Sequence, residues 1–300
     1  MVVKLTLTSL TLPAPAKINL FLHIVGRRAD GYHALQTVFQ LLDFGDELNF
    51  ELTDTPDIVI SPAIHGVSIT DNLIYKAALL LRPFAENTHT GAHIQLTKRL
   101  PIGGGVGGGS SDAATTLLAL NRLWQCNLSL NELATLGLQL GADVPVFING
   151  KTTWAEGIGE QFSPIKTPDA WYLILIPNCH VSTPQIFSHE LLTRDSPKMK
   201  IAPALEGHEL DMFRNDCEAL ASDLYPEIKE TLSWLNQFGN AKLTGTGACC
   251  FCRFMTESEA RQVLNEARSK FKGFVAKGVH LSPAHQRLNE VETFATNRPQ

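Results

Sequence analysis

A glycine-rich stretch followed by a helical pattern is the clearest chemical signal in the sequence. The segment "LPIGGGVGGGSSDAATTLLALN" begins at Leu100, and six of the seven residues from Gly103 to Gly109 are glycine. Glycine lets a backbone approach an anion closely, and a helix start offers unpaired N–H groups and a partial positive charge. A strand, then glycines, then a helix therefore predicts a phosphate-binding site. Ser110 or Ser111 could cap the helix or reach a phosphate or its Mg²⁺.

Two further nucleotide-binding motifs and a plain linker fit this stretch less well. Gly103, Gly105 and Gly108 satisfy the dinucleotide-binding pattern G-x-G-x-x-G, but that pattern also needs an acid about twenty residues further on, at the end of a strand. The sequence there predicts a helix instead. A Walker A loop needs a lysine after its last glycine, where this chain has Gly109. A flexible linker without a ligand is the remaining alternative, although linkers rarely join a strand directly to a capped helix.

A lysine and an aspartate elsewhere in the chain could complete a phosphoryl-transfer site. Such a site needs positioning, charge neutralisation and a group that orients the attacking hydroxyl. Lys17 stands among apolar residues in "PAPAKINLFLHI", and Asp143 stands between a helix end and a strand-like apolar run in "LGADVPVF". On their own they could equally be a surface lysine and a turn aspartate. Asp112 would repel a phosphate from the first turn of the helix, so we expect its side chain to point away.

The N-terminal half mixes strands and helices that could position these residues. Alternating and apolar patterns predict strands over residues 4–12, 18–25 and 47–60. Helical spacing after Asp71 predicts a helix with that residue as its N-cap. The capping box Ser129-x-x-Glu132 begins another helix, which we expect to end at Gly141.

The C-terminal half shows the same mixture. Residues 194–210 contain prolines and mixed charges and predict an irregular connection. A helix over residues 215–237 precedes "AKLTGTGACCFCRF", which predicts a strand, a tight glycine turn and a second strand. The fold class that follows is α+β, with a domain boundary near residues 155–170.

Composition limits the classes of protein that this chain can be. With 300 residues, 44% hydrophobic residues and a net charge of −5, it can bury a sizeable core and lacks the basic character of a nucleic-acid binder. We expect no nucleic-acid or membrane partner, because no apolar run is long enough to span a bilayer.

The N-terminus alternates rather than forming the uniform apolar core of a secretion signal, so we expect a cytoplasmic protein. The six cysteines, three of them in "ACCFCRF", are interpreted as small hydrophobic core residues.

The motifs resemble a known family of small-molecule kinases. "PIGGGVGGGSSDAA" is similar along its full length to the P-x3-G-x-G-x-S-S-x-A signature of the GHMP kinases. "PAKINLFLHIVGRRADGYHALQTVFQLLDFGD", "LGADVPVFINGKTTWAEGIGE" and "LTGTGACCF" extend the likeness, in particular to the members that phosphorylate the 2-hydroxyl of 4-diphosphocytidyl-2-C-methyl-D-erythritol in the non-mevalonate route to isoprenoid precursors. The resemblance implies a ribosomal-protein-S5-like ATP-binding domain over residues 1–160 and a ferredoxin-like substrate domain over residues 161–300.

The resemblance also implies functional residues. It makes Lys17 and Asp143 the catalytic pair, with Asp143 taking the proton of the substrate hydroxyl and Lys17 stabilising negative charge. It places ATP on Asn72, Lys98, Pro101, Ile102, Gly103, Gly104, Gly105, Val106, Gly107, Gly108, Gly109, Ser110 and Ser111. It places the cytidine-diphosphate substrate on Asn19, Tyr32, His33, Thr183, Pro184 and Phe187.

The remaining expectations concern the cofactor, the assembly and the alternatives. Mg²⁺ is implied together with ATP, but no metal ligand is assigned, and the protein could be a monomer or a homodimer. A GHMP kinase for another small alcohol such as homoserine, or a non-catalytic nucleotide-binding sensor, are the alternative functions. The first would leave Tyr32, His33 and Phe187 without a purpose, and the second is disfavoured because Lys17 and Asp143 are both present.

Overall fold

The chain folds into one extensively paired sheet with helices on its faces. The computed structural model describes residues 7–200 and 212–296. The strands within these residues are β1 (Ser9–Arg27), β2 (His33–Thr53), β3 (Ile58–Ser61), β4 (Gly91–Thr97), β5 (Thr153–Glu156), β6 (Gln161–Pro164), β7 (Trp171–Ile176), β8 (Lys242–Leu243), β9 (Cys250–Phe254) and β10 (Lys272–Val279). The helices are α1 (Leu73–Leu81), α2 (Gly108–Leu123), α3 (Leu130–Leu138), α4 (Val144–Asn149), α5 (Thr183–Ser188), α6 (Glu218–Leu224), α7 (Pro226–Leu235), α8 (Glu257–Ala267) and α9 (Pro283–Thr296).

The sheet joins the two halves of the chain. Its order is β3-β4-β2-β10-β7-β9-β8, with β1 and β5 also paired to β2, and β6 paired to β5. Strands β1 and β2 run antiparallel from Ser9 opposite Glu51 to Arg27 opposite His33. Strand β10 connects the halves because it pairs with β2 at one end and with β7 along the rest of its length. The α+β class is confirmed, and the division between residues 160 and 161 stays a prediction.

Three buried clusters hold the layers together. The first packs β1, β2 and β4 against α1, α2 and α4. The second packs β7, β9 and β10 against α6, α7 and α8. The third contains β1 and β2 residues such as Ile18 and Val38 together with β7 and β9 residues such as Tyr172 and Phe251, so it ties the N-terminal and C-terminal halves to each other.

The strand predictions were too short. The proline-containing segment before Ile18 continues into one strand, β1, and residues 33–46 belong to β2 although no alternation marked them. All of residues 36–42 are buried, the polar Gln36, Thr37 and Gln40 included, so this segment lacks the apolar–polar alternation of a half-buried strand. The predicted strand over residues 47–60 is interrupted before β3. Residues 4–6 of the first predicted strand lie outside the described residues.

Several predicted helix boundaries were wrong by one or more residues. Asn72, not Asp71, is the N-cap of α1, because its side chain accepts a hydrogen bond from the N–H of Ile74. The capping box of Ser129 is present, but α3 ends before Gly141, at Leu138. The helix predicted over residues 215–237 is two helices, α6 and α7, which meet at Pro226, since proline disfavours helical geometry in the residue before it.

The connection predicted over residues 194–210 is irregular as far as Lys200, and the rest of it lies outside the described residues. All the cysteines are free thiols, and four of them are buried in the core, with burial raising the pKa of Cys249 to about 12. No helix in residues 7–200 and 212–296 combines the length and apolar character that a bilayer crossing requires.

Candidate active site

The glycine-rich segment forms a tight loop that leads into α2. Gly103, Gly105 and Gly107 have φ angles of 71°, 76° and 73°, in the left-handed region that favours glycine. Gly107 is the N-cap of α2, so neither Ser110 nor Ser111 caps the helix, contrary to the sequence expectation. Both serines lie inside the first turns of α2, where the helix itself has already begun.

The loop turns its carbonyl groups toward the protein. The carbonyl of Gly104 accepts from the N–H of Cys249 at 3.0 Å, and that of Val106 accepts from the N–H of Lys17 at 3.0 Å. The carbonyl of Gly105 accepts from the hydroxyl of Thr244 at 3.3 Å. In the described part of the chain, no hydrogen-bond acceptor is found for the amide N–H groups of residues 103–110. A row of unpaired amides at the start of a 16-residue helix is an anion-binding arrangement.

The inner side of the loop also shows why bulkier residues are absent. A Cβ atom on Gly105 would lie 2.3 Å from the carbonyl oxygen of Thr244, and one on Gly107 would lie 2.7 Å from the ring of Phe147. A Cβ atom on Gly109 would meet only Leu73, at 3.5 Å. Part of the glycine requirement therefore comes from the protein's own packing rather than from a ligand.

Lys17 and Asp143 come together beside this loop. Lys17 Nζ lies 3.2 Å from Asp143 Oδ2, and the lysine side chain is buried whereas the aspartate side chain is 37% exposed. The carboxylate is therefore reachable from solvent while its cationic partner is fixed underneath. The structure therefore brings together the two residues that the resemblance implied as a pair, and their catalytic role stays a prediction.

A set of polar contacts fixes the position of Lys17. Its Nζ donates to Asn19 Oδ1 at 2.7 Å and lies 5.2 Å from the ring centroid of Phe39. Asn19 Nδ2 in turn donates to Thr37 Oγ1 at 2.9 Å, and the Asn19 N–H donates to Thr244 Oγ1 at 3.0 Å. A buried ammonium group is costly unless it is paired and hydrogen-bonded, and these contacts meet that need.

The segment after Asp143 is a helix, not the strand-like run that the sequence suggested. Asp143 is the residue before α4, its side chain makes no capping hydrogen bond, and Gly150 ends the helix in a left-handed conformation. Most of α4 is buried, so its apolar residues show no helical periodicity that could have revealed it. Because the Asp143 carboxylate does not cap α4, it is left to face the cleft.

A cleft of about 290 Å³ lies over the Lys17–Asp143 pair. Its lining includes Asn19, Gly105 and Ser110, together with the glycine turn that contains Gly245 and Thr246. The cleft thus connects the glycine loop, the Lys17–Asp143 pair and the glycine turn that contains Gly245 and Thr246. A transferring phosphoryl group held by the loop would lie next to the carboxylate.

A second cleft of about 390 Å³ continues from the first. It is lined by the predicted residues Tyr32, His33, Thr183, Pro184 and Phe187, and it shares Thr183 and Phe187 with the cleft over the charged pair. The rings of His33 and Phe187 stack with centroids 5.2 Å apart at an angle of 26°. Tyr32 is 59% exposed, so its ring is accessible to a ligand.

A third cleft of about 230 Å³ is lined by loop residues that do not line the first two clefts. Asn72, Lys98, Ile102, Gly103 and Gly109, all of them residues on which the resemblance places ATP, contribute to its lining. Its lining also includes the apolar residues Ile64, Val67 and Leu73.

Lys98 is held by two buried carboxylates. Its Nζ lies 2.6 Å from Asp46 Oδ2 and 2.7 Å from Asp112 Oδ2. Burial raises the pKa of Asp112 to about 7, with Lys98 opposing the shift and Asp46 adding to it. Burial opposes the charge of Lys98 as well, but Asp112 and Asp46 outweigh this effect and raise its pKa. The Asp112 carboxylate is buried against Lys98, and Asp112 also contributes to the lining of the third cleft.

Not every residue of the predicted ATP site faces one of these three clefts. Val106 and Ser111 are buried, and Pro101 lines a different surface cleft together with residues of α7. Ser111 Oγ has no hydrogen-bond partner in the described part of the chain. The predicted loop is therefore continuous in sequence, but only some of its members are exposed to a ligand.

The sequence analysis missed several residues that complete the site. Thr37 and Phe39 support Lys17 from β2, and Asp46 holds Lys98 and accepts from the N–H groups of Arg99 and Leu100. Their position opposite β1 and β4 follows from strand pairing. A correct prediction of β2 would have placed Thr37 and Phe39 near Lys17, whereas no local pattern marks Asp46.

Comparison with known proteins identifies the class to which this site belongs. Residues 72–151 match the GHMP kinases N terminal domain and residues 199–273 match the GHMP kinases C terminal domain. The chain therefore belongs to the GHMP kinases, whose shared fold and glycine loop it shows.

Full-length relatives identify the particular family. The 4-diphosphocytidyl-2-C-methyl-D-erythritol kinase of Marinobacter nauticus is 56% identical to this chain, and the match covers 95% of this chain and 100% of the relative. The enzyme of the same name from Hahella chejuensis is 53% identical, and the match covers 95% of this chain and 97% of the relative. A crystal structure of a 4-(cytidine 5'-diphospho)-2C-methyl-D-erythritol kinase superposes with a TM-score of 0.77 at 31% identity, covering 90% of this chain and 100% of that one. The chain belongs to the 4-diphosphocytidyl-2-C-methyl-D-erythritol kinase family.

Proposed function

We propose that the chain transfers the terminal phosphoryl group of ATP to the 2-hydroxyl of 4-diphosphocytidyl-2-C-methyl-D-erythritol. The observation that carries the proposal is the Lys17–Asp143 pair, 3.2 Å apart, between the glycine loop and an aromatic-lined cleft. Phosphoryl transfer is catalysed mainly by positioning and electrostatic stabilisation. The three connected features supply a phosphate cradle, a proton acceptor and a place for the rest of the substrate.

Asp143 acts as the general base in this proposal. Its carboxylate is exposed to the cleft, and it would accept the proton of the attacking hydroxyl as the oxygen bonds to phosphorus. Lys17 lies beneath it and would stabilise negative charge on the carboxylate and on the transferring phosphoryl group. Asn19, which bonds Lys17 Nζ and lines the same cleft, would orient the substrate hydroxyls.

The cytidine group of the substrate would occupy the second cleft. Tyr32 offers an exposed aromatic face for stacking, and Phe187 and Pro184 form the apolar wall opposite the loop that carries it. The adenosine of ATP would occupy the third cleft, near Asn72 and Lys98. The two nucleoside groups would then occupy separate clefts, and their phosphates would meet at the glycine loop.

The residues around the loop fit ATP with Mg²⁺. The unpaired amides of residues 103–110 suit its phosphates, whereas no group of three or more His, Cys, Asp or Glu able to hold a metal occurs in residues 7–200 and 212–296. Mg²⁺ typically keeps several waters and binds substrate phosphates with one or two protein oxygens. The hydroxyl of Ser110, which lines the reaction cleft, is the oxygen we propose for it. The metal would neutralise the charge of the phosphates.

The cellular setting completes the proposal. We place the protein in the cytoplasm, where ATP is available and free thiols such as its own persist. The net charge of −5 argues against a nucleic-acid partner. The protein would act as a monomer or a homodimer, and light scattering after size-exclusion chromatography distinguishes these states.

One assay separates this function from its alternatives. Purified protein is mixed with ATP, Mg²⁺ and a panel of alcohols with and without a cytidine diphosphate group, and ADP release is followed, with Asp143→Asn as the inactive control. Turnover confined to the cytidine-bearing methylerythritol is expected. Faster turnover of homoserine would assign the chain to another GHMP activity, and nucleotide binding without turnover of any alcohol would indicate a sensor.

A further inference from the structure

Arg194 makes an unusually complete set of hydrogen bonds beside the proposed cytidine cleft. Its Nη2 donates to the carbonyls of Phe187 at 3.0 Å and His189 at 2.7 Å, and its Nη1 donates to the carbonyl of Leu192 at 3.2 Å. One guanidinium group therefore closes the segment after α5 into a compact loop. Because guanidinium is planar and carries fixed donors, it holds all these carbonyls in one geometry.

The same guanidinium group also contacts His33, the first residue of β2. Arg194 Nε donates to Nε2 of His33 at 3.0 Å. Arginine has donors only, so the His33 nitrogen that faces it must be an acceptor without a proton. The proton of a neutral His33 ring is then on Nδ1, and in the described part of the chain no hydrogen-bond partner of that nitrogen is found. His33 lines the cytidine cleft, so Nδ1–H is the donor that remains for a ligand.

The charges around His33 agree with a neutral ring. Burial, followed by Arg194 and by Arg27 at the end of β1, lowers the pKa of His33. Phe187 of α5, which stacks on the ring, brings no charge. The charged groups that act on His33 are thus all cationic, and none of them favours a second proton on the imidazole.

We infer that Arg194 is a positioning residue that fixes His33 as an Nδ1–H donor for the cytosine base of the substrate. This inference rests on the proposed function. N3 of cytosine is an acceptor, whereas N3 of uracil carries a hydrogen, so a donor directed at N3 favours cytosine; the O2 carbonyl accepts in both bases and does not distinguish them. Arg194 therefore confers preference for cytosine without touching it.

Nitrogen NMR of ¹⁵N-histidine-labelled protein tests the inference without substrate. The His33 signals are assigned by their loss in His33→Ala. The wild-type ring is expected as the Nδ1–H tautomer, and Arg194→Met is expected to shift it toward Nε2–H, with the exposed-surface variant Arg261→Met unchanged. An Nε2–H ring in the wild type, or an unchanged pattern in Arg194→Met, would overturn the inference whatever the enzyme's substrate proves to be.

Steady-state kinetics of the Arg194 variant provide a second test of the inference. Losing one ordered hydrogen bond predicts that Arg194→Met raises KM for the cytidine substrate about tenfold, leaves KM for ATP unchanged and reduces the preference over the uridine analogue. In a His33→Ala background, Arg194→Met should have little further effect, since it acts through that ring. A full additional effect there, or an equal rise in both KM values, would contradict the role. If Arg194→Met fails to fold, two wild-type measurements still test the inference. An Nε2–H tautomer of His33, or equal use of the cytidine substrate and its uridine analogue, would overturn it.

Discussion

Replacing Asp112 with asparagine tests the buried charge cluster at the third cleft, which Lys98 and Asp112 help to line. Lys98 there faces two carboxylates, Asp46 and Asp112, so one positive charge opposes two negative charges in a buried place. Asparagine has nearly the same shape, and its side-chain oxygen can still accept from Lys98 Nζ. The variant Asp112→Asn therefore removes one charge and leaves a matched pair of Lys98 and Asp46.

The magnitude follows from the pKa of Asp112. Folding raises this pKa from 3.8 to about 7, so the folded state holds the proton more tightly than the unfolded state. Where the unfolded chain has lost that proton, the free energy of unfolding falls as pH rises, by at most about 1.4 kcal/mol per pH unit until the folded carboxyl also ionises. Between about pH 5 and about pH 7 the contribution of Asp112 amounts to a loss of roughly 2 kcal/mol.

Urea titrations at several pH values measure this effect. The free energy of unfolding of Asp112→Asn minus that of the wild type is expected to increase by about 2 kcal/mol between about pH 5 and about pH 7, because asparagine does not titrate. Buried histidines affect both proteins equally and cancel in the difference. The exposed α6 variant Asp223→Asn is the control and should parallel the wild type. Parallel curves for Asp112→Asn and the wild type would refute the assignment of a raised pKa.

The remaining predictions concern the reaction and its two ligands. Asp143→Asn should lower kcat by roughly 10²- to 10⁴-fold with little change in ATP affinity by calorimetry, as expected for loss of a general base, and unchanged turnover would remove that role. Tyr32→Ala should raise KM for the cytidine substrate but not KM for ATP, and equal rises would contradict stacking on the base. Gly105→Ala should lower the unfolding temperature because its Cβ atom would meet the Thr244 carbonyl, whereas Gly109→Ala should fold normally and raise KM for ATP. An unchanged unfolding temperature in Gly105→Ala, with KM for ATP raised in both variants, would instead show that the loop glycines serve the ligand alone.

The sequence was most informative where one short segment performs one task. The glycine loop, the Ser129 capping box and the glycine turn after Leu243 all depend on local backbone requirements, and each lies where it was predicted. Lys17 and Asp143 are 126 positions apart in the sequence, so their contact was inferred from the family resemblance and not from spacing. Local patterns alone left each of them with an ordinary structural role.

Sequence reasoning failed where burial removes the periodic signal. Most of the central part of β2 and of α4 is buried, so neither shows the alternation or the helical stripe that distinguishes strand from helix. For the same reason, the side chains that orient the candidate site residues were not predicted. Thr37 was missed with β2, and Arg194 lies in a segment without regular structure, where its hydrogen bonds depend on tertiary contacts.

The glycine loop shows how one backbone can serve the protein and a ligand at once. Its carbonyl groups accept hydrogen bonds from Cys249, Thr244 and Lys17, which lie in both halves of the chain. In the described residues its amide groups have no such partners. The contact between the Val106 carbonyl and the Lys17 N–H also places Lys17 directly beside the glycine loop. Any shift of the loop must therefore move the lysine as well. The position of the loop amides and the position of the Lys17–Asp143 pair are therefore coupled by the same hydrogen bonds.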